Sequence, residues 1–210
     1  MRKTAVLLLS LSTLILWSCD VSVNRSQHLA DGGRSSGMTT VNGRIIVGRD
    51  CTVDGASRTV NGRIEVGEGS RVKSLETVNG SIALGDKVTV DGDAATVNGS
   101  ITCGRGSTVM GDISTINGSL ELNNTAVSGG LRTTNGNIRL GEQSKVHGDI
   151  VIKGRRSLSP WTDSLEIRIE GGSMVEGGID VRDTGRKVTV TISKDSSVRG
   201  EIHNAEVIKE

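Results

Sequence analysis

The chain has 210 residues, with 25 Lys and Arg against 24 Asp and Glu, 29 Gly, one Pro, two Trp and neither Phe nor Tyr. Near-neutral charge without a basic block excludes an electrostatic reader of nucleic acid, and the missing rings exclude the stacking platforms that bases and sugars need. So much Gly would suggest low complexity, but regularly spaced Val, Ile and Leu mark a folded chain.

At the N-terminus Arg2 and Lys3 precede an apolar run over residues 4–16, too short to span a bilayer comfortably. The run ends in Leu16-Trp17-Ser18-Cys19. This resembles a bacterial lipoprotein signal, with residues 1–18 cleaved and Cys19 lipidated; a plain signal peptide and an uncleaved anchor are the competing readings. Cleavage removes Arg2 and Lys3 and no acid, leaving 23 basic against 24 acidic residues. Residues 19–38 are polar, rich in Gly and Ser, and without a sustained period, the composition of a flexible, lipid-anchored linker.

From residue 39 the chain repeats itself. Thr-Val-Asn-Gly, or a close variant, places Asn42, Asn61, Asn79, Asn98, Asn117 and Asn135 at intervals of 19, 18, 19, 19 and 18 residues. A second ladder is independent of the first: Val53, Val90, Val109, Val127 and Val146 each precede a Gly by two residues, and Val72 precedes Ser74 in the same way. That ladder continues at Val175 and Val198, beyond the last Asn-Gly. A period of this size marks a solenoid. Within a unit the aliphatics alternate, as in Val97, Ile101, Cys103, Val109 and Ile113, so the unit is strand rather than helix.

The fold expected is therefore all-β: one single-domain parallel β-helix over residues 39–210, triangular and right-handed, of about eight coils of 18–19 residues. A loop insertion over 154–164 absorbs ten extra residues. Corners fall near the Asn-Gly, near the Val-x-Gly, and near Gly48, Gly67, Gly85, Gly104 and Gly141. At that last phase Asn123 is the one substitution, which suggests a backbone with positive φ. A coil cannot stand alone: four or five buried aliphatics gain roughly 8–12 kcal/mol, against roughly 19–38 kcal/mol of backbone entropy for its residues. Stacking must close the gap.

Few residues invite chemistry. The Asn ladder reads as a turn signal whose side chains bond up and down the stack. The Thr column before it (Thr40, Thr59, Thr77, Thr96, Thr115, Thr133) resembles the rows of ice-binding solenoids, but lacks the paired second column. Cys51 and Cys103 lie about three coils apart, too far for a disulfide, and alternate with apolar residues as buried small side chains do. Neither Cys nor His clusters at metal-ligand spacing. No cofactor, metal or catalytic residue is expected. Trp161 sits in the insertion, as part of a side strap or a recognition loop.

Repeated Thr-Val-Asn-Gly-x-Ile, together with Val-x-Gly-x-Ile at residues 109–113, 146–150 and 198–202, resembles the bactofilin-like, polymer-forming β-helix proteins. It is similar also to the adhesin-type repeat proteins of the bacterial envelope. The resemblance covers roughly 39–210 and implies end-to-end polymerisation with no catalytic residues to carry over. An export signal departs from the mostly cytoplasmic bactofilins. The expected protein is a non-enzymatic envelope lipoprotein on the periplasmic side of the inner or outer membrane, a rigid scaffold or adhesion-like surface. Its expected partners are the membrane, through the lipid, and either copies of itself or an envelope polymer such as peptidoglycan or polysaccharide.

Overall fold

A computed structural model describes residues 20–154, 164–182 and 185–210. The signal at 1–18, Cys19 and Trp161 lie outside the described residues. Each coil contributes three short strands separated by corners. In one central coil they are Thr89–Val90, Ala94–Asn98 and Ile101–Cys103, and in the next Thr108–Val109, Ile113–Ser114 and Leu120–Asn123. Each pairs in parallel with its equivalent: Val90 with Val109, Ala94 with Ile113, Ile101 with Leu120. We call the three resulting columns the first, second and third faces. The third is a ten-stranded sheet. The first two join into one 17-stranded sheet, because Thr52–Thr59 and Arg71–Asn79 run unbroken round the corner between them. The result is a single-domain parallel β-helix of about nine turns.

The repeat spacing is converted directly into register. Val146 pairs with Val175 and Val175 with Val198, so the Val ladder passes the insertion without losing phase. The third face resumes after it at Leu165, with Ile138 opposite Ile167. Inward aliphatics then stack on their equivalents. Ile45, Ile64, Ile82, Ile101 and Leu120 form one fully buried column, and Val72, Val90, Val109 and Val127 another. Each is closed above and below by the next coil, so a coil's apolar surface is covered only in the stack.

Two expectations need correction. The expected linker at 19–38 is, from residue 20 on, no tether. Asp20–Ser22, Gln27–Leu29 and Arg34–Ser35 pair in parallel with Met38–Thr40, Ile45–Val47 and the start of Thr52–Thr59, which makes nine turns rather than eight. The first Asn-Gly coil would otherwise leave a row of backbone donors and acceptors unpaired. Backbone bonding needs no apolar period, so composition could not reveal it.

The second correction concerns glycine. Gly48, Gly67, Gly85, Gly104 and Gly141 do not have positive φ; the left-handed residues come one or two positions later, at Asp50, Gly69, Lys87, Gly106, and Glu142 with Gln143, and at Asn124 after Asn123. What those glycines supply is clearance. A Cβ on Gly67 would stand 2.6 Å from the carbonyl of Gly48, and one on Gly104 2.7 Å from that of Gly85. Gly141 lies over Asn123, and there the nearest atom is 3.2 Å away, so this is the looser step of the column. The Asn-Gly glycines follow the same rule. A Cβ on Gly62, Gly80, Gly99, Gly118 or Gly136 would fall under 3.0 Å from the carbonyl oxygen of the glycine one coil below.

Candidate functional site

The Asn-Gly corner and the second face leading into it carry the most regular chemistry in the molecule. Each Asn donates its Nδ2 to the Oδ1 of the Asn one coil below. The distances are 2.7 Å from Asn61 to Asn42, 2.8 Å from Asn79 to Asn61 and from Asn98 to Asn79, and 2.7 Å from Asn117 to Asn98 and from Asn135 to Asn117. Aligned amides polarise one another, so the column is a cooperative chain rather than a set of isolated contacts. The six Asn residues read from the sequence are thus brought into one line.

Both ends of that line are made by residues the repeat did not reveal. At the N-terminal end Asn42 donates to Asn24, at 2.5 Å. At the other end the guanidinium of Arg186 donates to Asn135 Oδ1 at 2.8 Å and to the carbonyl of Thr134 at 2.5 Å. Arg186 lies 51 residues from Asn135 along the chain. The signal available in advance was the four residues by which the last coil exceeds the period, near residues 183–186.

The Thr column is reversed from the outward row its periodicity suggested. Thr40, Thr59, Thr77, Thr96, Thr115 and Thr133 are all buried. Thr59 donates its hydroxyl to the carbonyl of Gly43 at 2.9 Å, Thr77 to Gly62 at 3.0 Å, Thr96 to Gly80 at 2.8 Å and Thr115 to Gly99 at 2.9 Å. Those carbonyls are the ones that crowd the Asn-Gly corner, so the hydroxyl supplies a donor where no backbone N–H can reach. At the last rung the Thr133 hydroxyl is buried without a partner. An inward column cannot serve as an ice-binding face.

The next residue points out. Val60, Val78 and Ile116 are 41%, 40% and 46% exposed, and Val41 and Val97 occupy the same place half-buried. With Ala95 and Ser114 beside them, they line a shallow groove of about 760 Å³ along the second face. Outward positions of the other faces are mixed by comparison. On the first face Arg71, Thr89, Thr108, Ala126 and Lys145 follow one another, and on the third Glu65, Ala83, Thr102, Glu121 and Arg139.

At the first corner lies a buried column that the sequence reading passed over, in which Ser70, Ser107 and Ser144 alternate with Cys51, Val88 and Thr125. Ser70 donates to the Gly48 carbonyl and accepts from the Cys51 amide; Ser107 donates to the Gly85 carbonyl and accepts from the Val88 amide. The recurrence of Ser three residues after Gly67, Gly104 and Gly141 was its signal. Cys51 stands in this column and its thiol donates to the Ala30 carbonyl. Cys51 and Cys103 are both buried and free, and burial pushes the Cys103 thiol up to about 12.

Charges on the surface are largely tied from coil to coil. Arg58 meets Glu76, Arg71 meets Asp91, Lys87 meets Glu68, and Arg105 reaches Glu142 across two coils. The amide of Arg49 and then its guanidinium hold Asp31 below the usual carboxylate range. Burial alone would raise Asp112, but the Gly130 amide and Arg132 outweigh it and hold that carboxyl low. Among the described residues no group of three His, Cys, Asp or Glu is placed to hold a metal, and no helix is long and apolar enough to cross a membrane. Comparison with known proteins finds no family model, curated protein or solved structure that matches this chain.

Proposed function

We propose that this chain is a non-enzymatic, exported lipoprotein whose β-helix is a rigid scaffold or adhesion-like surface of the bacterial cell envelope, anchored through Cys19 and able to assemble end to end. The observation that carries the reading is the continuous backbone ladder from coil to coil, whose last described strand lies uncovered. The last strand, Glu206–Lys209, is exposed at every residue, and Val207 and Ile208 present 41% and 45% of their surface there. An unpaired strand edge with aliphatic side chains is a template for another coil. Purified residues 20–210 should form filaments by electron microscopy and scatter light increasingly with concentration. A chain that stays monomeric at high concentration rules assembly out. Fractionation of the native protein beside a Cys19→Ala variant tests the anchor, which the variant should release into the soluble fraction.

A binding module for an envelope polymer is the second reading, and it rests on the outward rows. Burial of the Thr column, self-bonding of the Asn column and ion pairing of the Arg and Lys rows leave fewer free polar groups for a glycan than the repeat suggested. Recovery of the chain with purified sacculi is the outcome that would favour this second reading.

A further inference from the structure

The groove on the second face raises a question the scaffold role does not answer. Five successive coils place an aliphatic side chain at one outward phase, with Val60, Val78 and Ile116 exposed and Val41 and Val97 half-buried. At about 4.8 Å per coil the column is about 19 Å long, and it is one side chain wide. On one side runs the Asn ladder, whose amides bond to one another. On the other run Arg58 and Glu76, paired by hydrogen bonds of 3.0 and 3.1 Å, then the small residues Ala95 and Ser114, and then Arg132, which is paired with Asp112.

The column changes character toward the C-terminal end. Thr134 follows Thr133, whose partner one coil on is Ile152, so the next residue in line is Lys153. Val181 pairs with Ile152, which brings Arg182 into line after it. Lys153 is exposed, lines the end of the groove, and makes no ion pair among the described residues, whereas Arg182 is held by Asp180 at 2.7 Å. The groove is therefore apolar along its floor and cationic at one end.

Shape selects among occupants. A stable protein interface uses about 20–30 residues a side, far more than a strip this narrow offers. A sugar chain would want aromatic rings, and the protein has no Phe or Tyr. A linear apolar chain fits, and a terminal anion matches Lys153. The geometry points to a binding site for a long-chain fatty-acid anion, its carboxylate at Lys153 and its acyl chain running from Ile116 along the column toward Val41. Lys153 stands two coils beyond Ile116, about 10 Å along the rod. At about 1.3 Å per carbon, from bonds of about 1.5 Å, a chain of about 12–14 carbons starting there passes Ile116 and Val97 and ends toward Val78. The site is independent of the end-to-end assembly proposed above, which uses the terminal coils.

Titration of residues 20–210, which carry every described coil, with laurate below its micelle concentration tests this by calorimetry or by NMR of the Val and Ile methyls. Saturable one-to-one binding is expected, with methyl shifts confined to the second face. Octanoate should bind weaker by about tenfold or more, because it covers fewer rungs. The triple variant V60T/V78T/V97T should lose about tenfold or more. Thr already stands in this column at position 134, so an unchanged circular-dichroism melt is expected and serves as the folding control. K153Q should weaken laurate about threefold and remove its advantage over dodecanol. Absence of saturable binding, an undiminished affinity in the folded triple variant, or binding only to anionic lipid vesicles would overturn the assignment.

Discussion

Thr77 and Val78 are chain neighbours, and so are Thr96 and Val97, yet in each pair the hydroxyl is inside and the aliphatic outside. Side-chain hydrophobicity alone would place them the other way. The difference lies in the corner that follows. The carbonyls of Gly62, Gly80 and Gly99 lie directly under the glycine of the next coil, and the buried hydroxyls of Thr77, Thr96 and Thr115 supply the donor they lack. An unsatisfied buried carbonyl costs about 1–3 kcal/mol, comparable to what burying a Val would gain. The hydroxyl satisfies the carbonyl while the Thr methyl still packs, so Thr wins the inner place and Val is left outside.

Substitutions can break that contrast, and the corner itself should be the most sensitive point. Gly99→Ala drives a Cβ into the backbone of Gly80, with no flexible side chain to yield; a loss of about 3 kcal/mol or more is expected in denaturant unfolding. A loss under about 1 kcal/mol would show that the coils can separate locally. Thr96→Val keeps the shape and removes the donor to Gly80, and should cost about 1–2 kcal/mol. Its mirror, Val97→Thr, should stay within about 0.5 kcal/mol. Equal effects of the two would sink the inside–outside account.

The Asn ladder gives a change that depends on pH. Asn98→Asp replaces the donor to Asn79 Oδ1 with a carboxylate, setting acceptor against acceptor; about 1 kcal/mol should be lost at neutral pH. Protonation restores a donor, so the deficit relative to wild type should narrow as pH falls toward 4. A deficit that is constant from pH 7 to pH 4 argues against the ladder as the cause. Wild type should move the opposite way. Asp31, Asp112, Glu142, Glu176 and Asp195 are all held below their ordinary values. Their stabilisation is complete above the unfolded carboxylate values near about 4 and is lost as pH falls through the lowered folded values. The effect should be a modest decline of the melting temperature below about pH 4, since most of these pairs are exposed and screened. A melting temperature unchanged between pH 6 and pH 2.5 is the contrary result.

Much of this was readable from residues alone. The interval between Asn42, Asn61, Asn79, Asn98, Asn117 and Asn135 dictates a coil of 18–19 residues. The Val-x-Gly ladder carries the phase on to Val198, and β-branched alternation makes each side a strand. Side-chain stacking at equal phase then follows from the period, which is why the Asn ladder could be anticipated as a bonded column. Single-domain architecture and parallel pairing need nothing further.

Only the tertiary structure decided what depends on contacts between coils. Alternation places Thr96 and Ile101 by parity along a strand, but the corner at Asn98-Gly99 interrupts parity, so either Thr96 or Val97 could face inward until the carbonyl of Gly80 is located. The reason for glycine at Gly67 and Gly104 was likewise a neighbour one coil away rather than a local dihedral. Residues 20–38 joined the stack through backbone bonds that no side-chain pattern encodes, and Arg186 found Asn135 across 51 residues. The repeat specifies what recurs at one phase; which side of the wall that phase occupies is settled by the coil beneath it.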